Sequence, residues 1–238
     1  MNIKRTILVM SGKGGVGKTT VAVNLAYALS ERGYKVGILD ADLHGPNVPK
    51  MLGVKERTND LPIEINENLK LVSMSFLIDE DKALIWRGPL KHKFISEILS
   101  KIDWGDLDFL IVDLPAGTGD ESISVAQISP GEKYSLIISM PQEVSMMDAR
   151  RAYNFSKKLG LKVIGFVENM SGEFFGEGGV EKLAKGLNEN FLGKIHLDKN
   201  VPKLCDEGKI IVKEKTMAGD EINGIVDKIL EYFKSENL

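Results

Sequence analysis

The sequence predicts a single-domain α/β protein, a doubly wound, mostly parallel sheet flanked by helices, and three observations carry that reading. Short apolar runs alternate with helix-period patterns along the whole chain, the signature of parallel strands joined by crossover helices. Several of those runs are apolar at consecutive positions, as strands covered on both faces are. The 238 residues contain no internal repeat, low-complexity tract or Pro/Ser-rich linker at which a boundary would sit, so one domain over 1–238 is expected.

Taken in order, strands are expected at 5–10, 35–40, 69–74, 107–113, 134–139, 161–169 and 191–195. The first helix is expected at 18–32, where Val21, Leu25, Ala28 and Leu29 share one stripe and Gly33 follows as a C-cap. Further helical patterns cover 89–102, 143–159, 178–190 and 219–234. The last of these aligns Ile222, Ile225, Val226, Ile229, Leu230 and Phe233 on one stripe, while its polar positions hold more acids than bases. Anionic lipid would repel that polar face, so the helix is expected to pack on the sheet. The charged, Asn-containing stretch 55–68 reads as an exposed excursion between a short helix and a strand.

Hydrophobic residues make up 43% of the chain and charged residues 27%, with 24 glycines, a balance that excludes general disorder. Lys plus Arg number 31 against 34 Asp plus Glu, for a net charge of −3. No broad basic surface therefore draws the chain to nucleic acid or to a membrane, and neither is expected as a partner. The one cysteine, Cys205, excludes an internal disulfide and provides too few thiols for a zinc ribbon or a ferredoxin-like cluster. That usage, with no apolar stretch near the roughly 20 residues a membrane span needs, makes a cytoplasmic location the expectation.

Directly after the first strand, Gly12-Lys13-Gly14-Gly15-Val16-Gly17-Lys18-Thr19 fits G-x-x-x-x-G-K-[ST] at every fixed position, in the strand, loop and helix context that the pattern requires. Glycines let successive backbone N–H groups turn inward onto phosphate oxygens, with the positive end of the following helix behind them. Lys18 would neutralise the β and γ phosphates, and the Thr19 hydroxyl would bind Mg²⁺. The expected ATP-binding run is Gly12, Lys13, Gly14, Gly15, Val16, Gly17, Lys18, Thr19 and Thr20. A dehydrogenase fingerprint is excluded, because this glycine spacing is that of a triphosphate loop.

Two strand ends carry acids. The second strand runs into Asp40-Ala41-Asp42, where carboxylates can hold Mg²⁺ waters or orient an attacking water, the alternative being a strand-end turn with solvated aspartates. Phe109-Leu110-Ile111-Val112-Asp113 closes an apolar run on an acid, as a Walker B strand does, and Asp113 would support the Mg²⁺ shell. The glycines that follow, around Gly117, suit a mobile loop that senses the γ-phosphate.

The run 13–19 resembles the deviant Walker A signature of the MinD, ParA and nitrogenase iron-protein class. That resemblance implies that the extra lysine, Lys13, reaches across a nucleotide-sandwich dimer to the partner's phosphates. The resemblance narrows with 40–49, Trp86-Arg87-Gly88-Pro89, Trp104-Gly105-Asp106-Leu107-Asp108, 114–120, Pro141-Gln142-Glu143-Val144 and Val167-Glu168-Asn169-Met170-Ser171. Together, and in this order over about 5–212, they are similar to the Mrp family, ATPases that scaffold and carry iron-sulfur clusters. The resemblance implies that Asn169 contacts the adenine, that Asp42 is the switch I acid positioned for hydrolysis, and that Asp113 is the Walker B acid. It also implies Lys13, Lys18 and Asp42 as catalytic residues, Thr19, Asp42 and Asp113 around Mg²⁺, and a homodimer with ATP at its interface. Iron-sulfur assembly or recipient proteins are the implied partners.

The chain departs from that family's pattern at one place. Where the family usually carries Cys-Pro-x-Cys, Ser171 is followed by Gly172-Glu173-Phe174-Phe175-Gly176-Glu177-Gly178-Gly179. A cluster shared by a dimer takes two thiolates from each subunit, and one Cys205 per chain supplies half of that. No iron-sulfur site is expected on this chain alone, and Cys205 reads as a half-buried structural residue. Phe174, Phe175 and their glycines suit a contact loop at the dimer seam, whereas Arg150 and Arg151 read as a solvated helical face. Ala116, where the family commonly has a second proline, predicts a more pliable switch loop. The expected function is a Mg²⁺-dependent, slowly hydrolysing, dimeric switch ATPase that acts in cluster assembly or delivery through a partner. A MinD- or ParA-like spatial regulator acting on membrane or DNA is the alternative, and a module holding ATP only structurally is a third reading.

Overall fold

Ile7, Leu8 and Val9 have no solvent exposure, which places β1 (Ile3–Met10) inside the sheet with both faces covered. The computed structural model describes residues 2–42, 45–56, 58, 60–77, 96–97 and 101–236. Within them run β2 (Val36–Asp40), β3 (Ile63–Asn66), β4 (Leu69–Ser73), β5 (Leu107–Asp113), β6 (Glu132–Ser139), β7 (Lys162–Ser171) and β8 (Phe191–His196). They form one eight-stranded sheet in the order β3-β4-β2-β5-β1-β6-β7-β8. Every pairing is parallel except β3 with β4, which is antiparallel.

Seven helices accompany the described strands: α1 (Lys18–Glu31), α2 (Val48–Met51), α3 (Asp120–Ile128), α4 (Glu143–Lys158), α5 (Gly179–Gly186), α6 (Val201–Asp206) and α7 (Met217–Glu236). Alternation along the central strands sends side chains to two layers. Ile7, Val9, Ile38, Ile111 and Leu136 pack with α1 and α7, while Leu8, Met10, Leu39, Leu110 and Val112 pack with Val125 and Ala126 of α3. A further cluster joins α4 and α5 over Ile137, Val163 and Phe166. The acidic stripe of α7 stays outward, and Ile222, Ile225, Val226, Ile229 and Phe233 are buried as expected.

The expected strands all form, with ends shifted by one to two residues. The excursion expected at 55–68 is corrected in part: Ile63 and Ile65 pack against the core, and 63–66 pairs antiparallel with β4 through a bulge. The helix expected over 178–190 is also shorter, ending at Gly186, because Asn188 takes a left-handed φ of 55°. Trp86-Arg87-Gly88-Pro89 and, apart from 96–97 and 101–102, the helix expected at 89–102 lie outside the described residues, as do Leu43 and His44 of the 40–49 segment. Among the described residues no helix is long and apolar enough to cross a membrane.

Candidate functional site

The parallel strands β2, β5, β1, β6 and β7 deliver their C-terminal ends to one edge of the sheet, where an open α/β fold gathers its ligands. β1 leaves the sheet at Met10, and the chain turns through the glycine run into α1. Gly15 and Gly17 hold φ of 79° and 80°, a region that side chains with a Cβ occupy at a cost. Gly12 is required for a different reason: a Cβ there would lie 2.1 Å from the Asp148 carbonyl oxygen, so the loop runs directly against the backbone of α4. The Ser11 hydroxyl donates to the Lys13 carbonyl at 2.9 Å and fixes the loop's first bend.

No side chain caps α1 and no acid stands in its first turn. Its leading N–H groups and positive dipole end therefore face the loop's concavity, a ready anion site. The first two residues of that helix converge on β5: Lys18 Nζ lies 2.5 Å from Asp113 Oδ1, and Thr19 Oγ1 donates to Asp113 Oδ2 at 2.7 Å. Both partners of the ion pair are buried. Burial pushes the Asp113 carboxyl above the usual carboxylate range, against the opposing pull of the Lys18 ammonium.

Asp40 is the register partner of Asp113 on the neighbouring strand β2. It has no exposure, and burial together with the Asp113 charge pushes its carboxyl up to about 8. The alternative of solvated strand-end aspartates thus fails for Asp40, which accepts from the Ser73 hydroxyl at 3.2 Å and the Asp42 N–H at 3.2 Å. Asp42 is half-buried one turn further out, and its Oδ1 accepts from the Gly45 N–H at 3.1 Å. On the other side of β5, Gly117 turns back with φ of 87° and its N–H donates to the Ser11 carbonyl at 3.1 Å. The Gly117 segment is thereby tied to the start of the phosphate loop, while Asp42 bonds within 40–45.

Asn169 enters from β7. Its Nδ2 donates to the Val16 carbonyl at 2.8 Å, and a Cβ on Gly17 would lie 2.1 Å from the same nitrogen. Asn169 also lines an apolar pocket with Gly17, Thr20, Met170, Leu197 and Pro202, beside the phosphate loop. The β8 to α6 segment, Leu197 to Pro202, and Ile222 of α7, none of which the sequence marks, close this pocket beside Asn169 and Thr20. No local pattern marks them, since they meet the loop only through the sheet.

Thr19 and Asp113 offer hard oxygen donors beside the phosphate loop, the small carboxylate and hydroxyl set that Mg²⁺ takes together with substrate phosphates and water. Cys205 is half-buried on α6 beside Thr20, and burial raises its thiol pKa. Among the described residues no three His, Cys, Asp or Glu side chains form a group that could hold a metal ion. The segment that follows Asn169 is a small hairpin closed by reciprocal Gly172 and Gly176 backbone bonds of 2.9 and 2.8 Å. Its base is fixed by Glu168, fully buried, which accepts from the Ser171 hydroxyl and from the N–H groups of Gly178 and Val180 at 2.8–2.9 Å.

The ParA family, described as NUBPL iron-transfer P-loop NTPase, matches residues 2–230. An iron-sulfur cluster carrier protein of Methanocaldococcus jannaschii is 43% identical over 247 residues, covering 96% of this chain and 85% of that protein. The cytosolic Fe-S cluster assembly factor NUBP2 of Rattus norvegicus is 39% identical over 251 residues, covering 96% and 93%. Among solved structures, a nucleotide-binding protein from Archaeoglobus fulgidus in complex with ADP is similar with a TM-score of 0.75 and 33% identity over 90% of both chains. The septum site-determining protein MinD of Pyrococcus horikoshii shares the fold, with a TM-score of 0.77 at 24% identity over 95% of this chain and 96% of its own.

Proposed function

The chain belongs to the ParA family of NUBPL iron-transfer P-loop NTPases, and from that premise we propose that it is a Mg²⁺-dependent switch that binds ATP, hydrolyses it slowly and acts in iron-sulfur cluster assembly or delivery through a partner protein. The observation that supports this most is the convergence of Lys18 and Thr19 on Asp113 beneath an uncapped helix end. Lys18 and Thr19, two groups needed for triphosphate chemistry, are thus each one hydrogen bond from the Asp113 carboxylate.

In this reading the loop N–H groups and Lys18 hold the β and γ phosphates, and Thr19 and Asp113 hold Mg²⁺, which supplies charge neutralisation of the phosphates when bound. Asp42 orients the attacking water from the switch segment, and Asn169, held by the Val16 carbonyl, presents the rest of its amide to the base. Lys13 acts across a homodimer on the partner's phosphates, so that hydrolysis and dimer state are coupled. Relatives named as iron-sulfur cluster carriers and assembly factors support the process. The lack of cysteines at 172–178 favours delivery through a partner over a cluster caged by this chain.

Phosphate release from Mg·ATP tests the reading. The wild type is expected to turn over slowly, and Asp42→Asn to bind ATP normally while losing roughly 10²-fold in rate, the usual scale for a positioned acid-base group. Equal rates in the two proteins would move the catalytic role away from Asp42, and no turnover above background in the wild type would remove hydrolysis from the account.

A further inference from the structure

We propose that Met170 contacts the nucleobase, its thioether forming an apolar wall against the face of the ring, and that a strained bulge in β7 aims it there. The inference deepens the nucleotide-binding reading above and rests on it for the identity of the ligand. The placement of the side chain is argued from the strand that carries it.

β7 does not run regularly to its end. Asn169 pairs with Ile195 and Ser171 with His196, so Met170 is one residue more than β8 can match, and the parallel ladder bulges there. Met170 takes a φ of 55°, and among the described residues only Asn188 shares that left-handed region without being glycine. Asn tolerates the conformation through its short polar side chain, whereas a long apolar side chain adopts it at a cost. Strain of this kind persists where the surrounding structure holds it, and it gathers at ligand sites.

The side chains on either side show what the bulge does. In a regular strand Glu168 and Met170 would share one face, and Asn169 and Ser171 the other. Instead the Ser171 hydroxyl donates to the Glu168 carboxylate at 2.9 Å, on the α5 side, where Glu168 also accepts from the Val180 N–H. Asn169 and Met170 are left together on the phosphate-loop side: a Cβ on Gly17 would lie 2.1 Å from Asn169 Nδ2 and 3.6 Å from Met170 Cε. Two consecutive residues thus converge on one point of the loop. Met170 is half-buried, packs against the hydrophobic layer that contains α1 and α7, and lines the apolar pocket with Asn169, Leu197 and Pro202.

The two side chains suit different parts of a base. Asn169 donates one N–H to the Val16 carbonyl and keeps its other amide groups for a ring edge. The face of the ring takes apolar, polarisable contact, and methionine supplies it with a thioether on a chain flexible enough to settle against a flat surface. A polyphosphate has no such face. Met170 therefore contributes to binding a nucleotide and not to binding its phosphates alone.

The test uses the full chain isotope-labelled at its methionine methyl groups, with Mg·ADP and Mg·pyrophosphate as probes read by NMR and titration calorimetry. Met170→Leu identifies the Met170 signal and keeps an apolar side chain of similar volume, while Met170→Ala and Met170→Gly remove the wall. Ring current is expected to shift the Met170 methyl upfield with ADP, and pyrophosphate to leave it in place. ADP affinity should fall roughly tenfold in the Ala and Gly variants and stay within about threefold in the Leu variant, with pyrophosphate affinity unchanged in all. Without nucleotide, Met170→Gly should melt about 2–4 °C above Met170→Ala, since glycine alone escapes the left-handed penalty. A methyl signal unmoved by ADP, equal ADP affinity in wild type and Met170→Ala, or a parallel loss of pyrophosphate affinity would overturn the contact. An Ala variant at least as stable as the Gly variant would overturn the strained bulge. A wild type that binds pyrophosphate but not ADP would remove the base site, and one that binds neither would remove the nucleotide reading and this contact with it.

Discussion

Lys18 Nζ lies 2.5 Å from Asp113 Oδ1, a buried ion pair that joins the phosphate loop to the end of β5 across 95 positions of sequence. Removing one partner of a buried pair leaves the other without countercharge, at a cost of about 3–5 kcal/mol. Lys18→Ala is therefore expected to lower the melting temperature of the nucleotide-free protein and, by removing the compact cation from the phosphate site, to weaken Mg·ATP at least tenfold. Thermal unfolding and titration calorimetry read the two effects separately, and unchanged ATP affinity would remove Lys18 from the site.

Gly15 and Gly17 share the same backbone region but not the same surroundings. A Cβ on Gly15 meets nothing within 4 Å, whereas one on Gly17 would collide with Asn169 Nδ2 at 2.1 Å. Gly15→Ala should cost only the left-handed backbone penalty, about 1–2 kcal/mol. Gly17→Ala should cost that and also break the Asn169 to Val16 hydrogen bond, so ATP affinity falls further than for Gly15→Ala. Equal affinities for the two variants would show that Asn169 does not position the base.

The candidate site is legible in the sequence where chemistry is written at fixed spacing. The phosphate loop, the acid ending the apolar run 109–113 and the acids after β2 are local patterns, and the structure brings Lys18, Thr19 and Asp113 together. What escaped was non-local or locally polar. β3 hides in a charged stretch where only Ile63 and Ile65 face the core. α3 is a short, serine-containing helix just beyond a glycine-rich turn, recognisable through Val125 and Ala126 once the sheet is present. The contact of Gly12 with Asp148 and the pocket wall at Leu197 to Pro202 arise from the packing of segments far apart in the chain, which no periodicity encodes.

Asp40 gives the fold a pH dependence of defined sign. Its carboxyl is raised to about 8 from the ordinary 3.8, so between those values the folded state holds a proton that the unfolded state has released. Stability then falls as pH rises through that window and levels off above it. In EDTA and without nucleotide, the melting temperature should drop from pH 5.5 to pH 8, and Asp40→Asn, which keeps the shape without the charge, should flatten the slope. A slope of the opposite sign, or one unchanged in the variant, would contradict the burial argument.

One thiol per chain sets the expectation for iron. After anaerobic reconstitution with iron and sulfide and desalting, the protein alone should retain no stable [4Fe-4S] absorption, because two Cys205 thiols in a dimer cannot close a four-thiolate cage. Cys205→Ser should leave ATP turnover nearly unchanged. A brown protein with stoichiometric iron and sulfide would restore a cluster-holding role to this chain.

ATP, read by Lys13 from across an interface, is expected to switch the chain between two assembly states. Multi-angle light scattering of Asp42→Asn with Mg·ATP and with Mg·ADP, alongside the same variant carrying Lys13→Ala, measures that switch. The expected masses are a dimer with ATP, a monomer with ADP, and a monomer under both nucleotides once Lys13 is removed, with ATP still bound. One mass in all four samples, or an ATP-dependent dimer that survives the loss of Lys13, would contradict it.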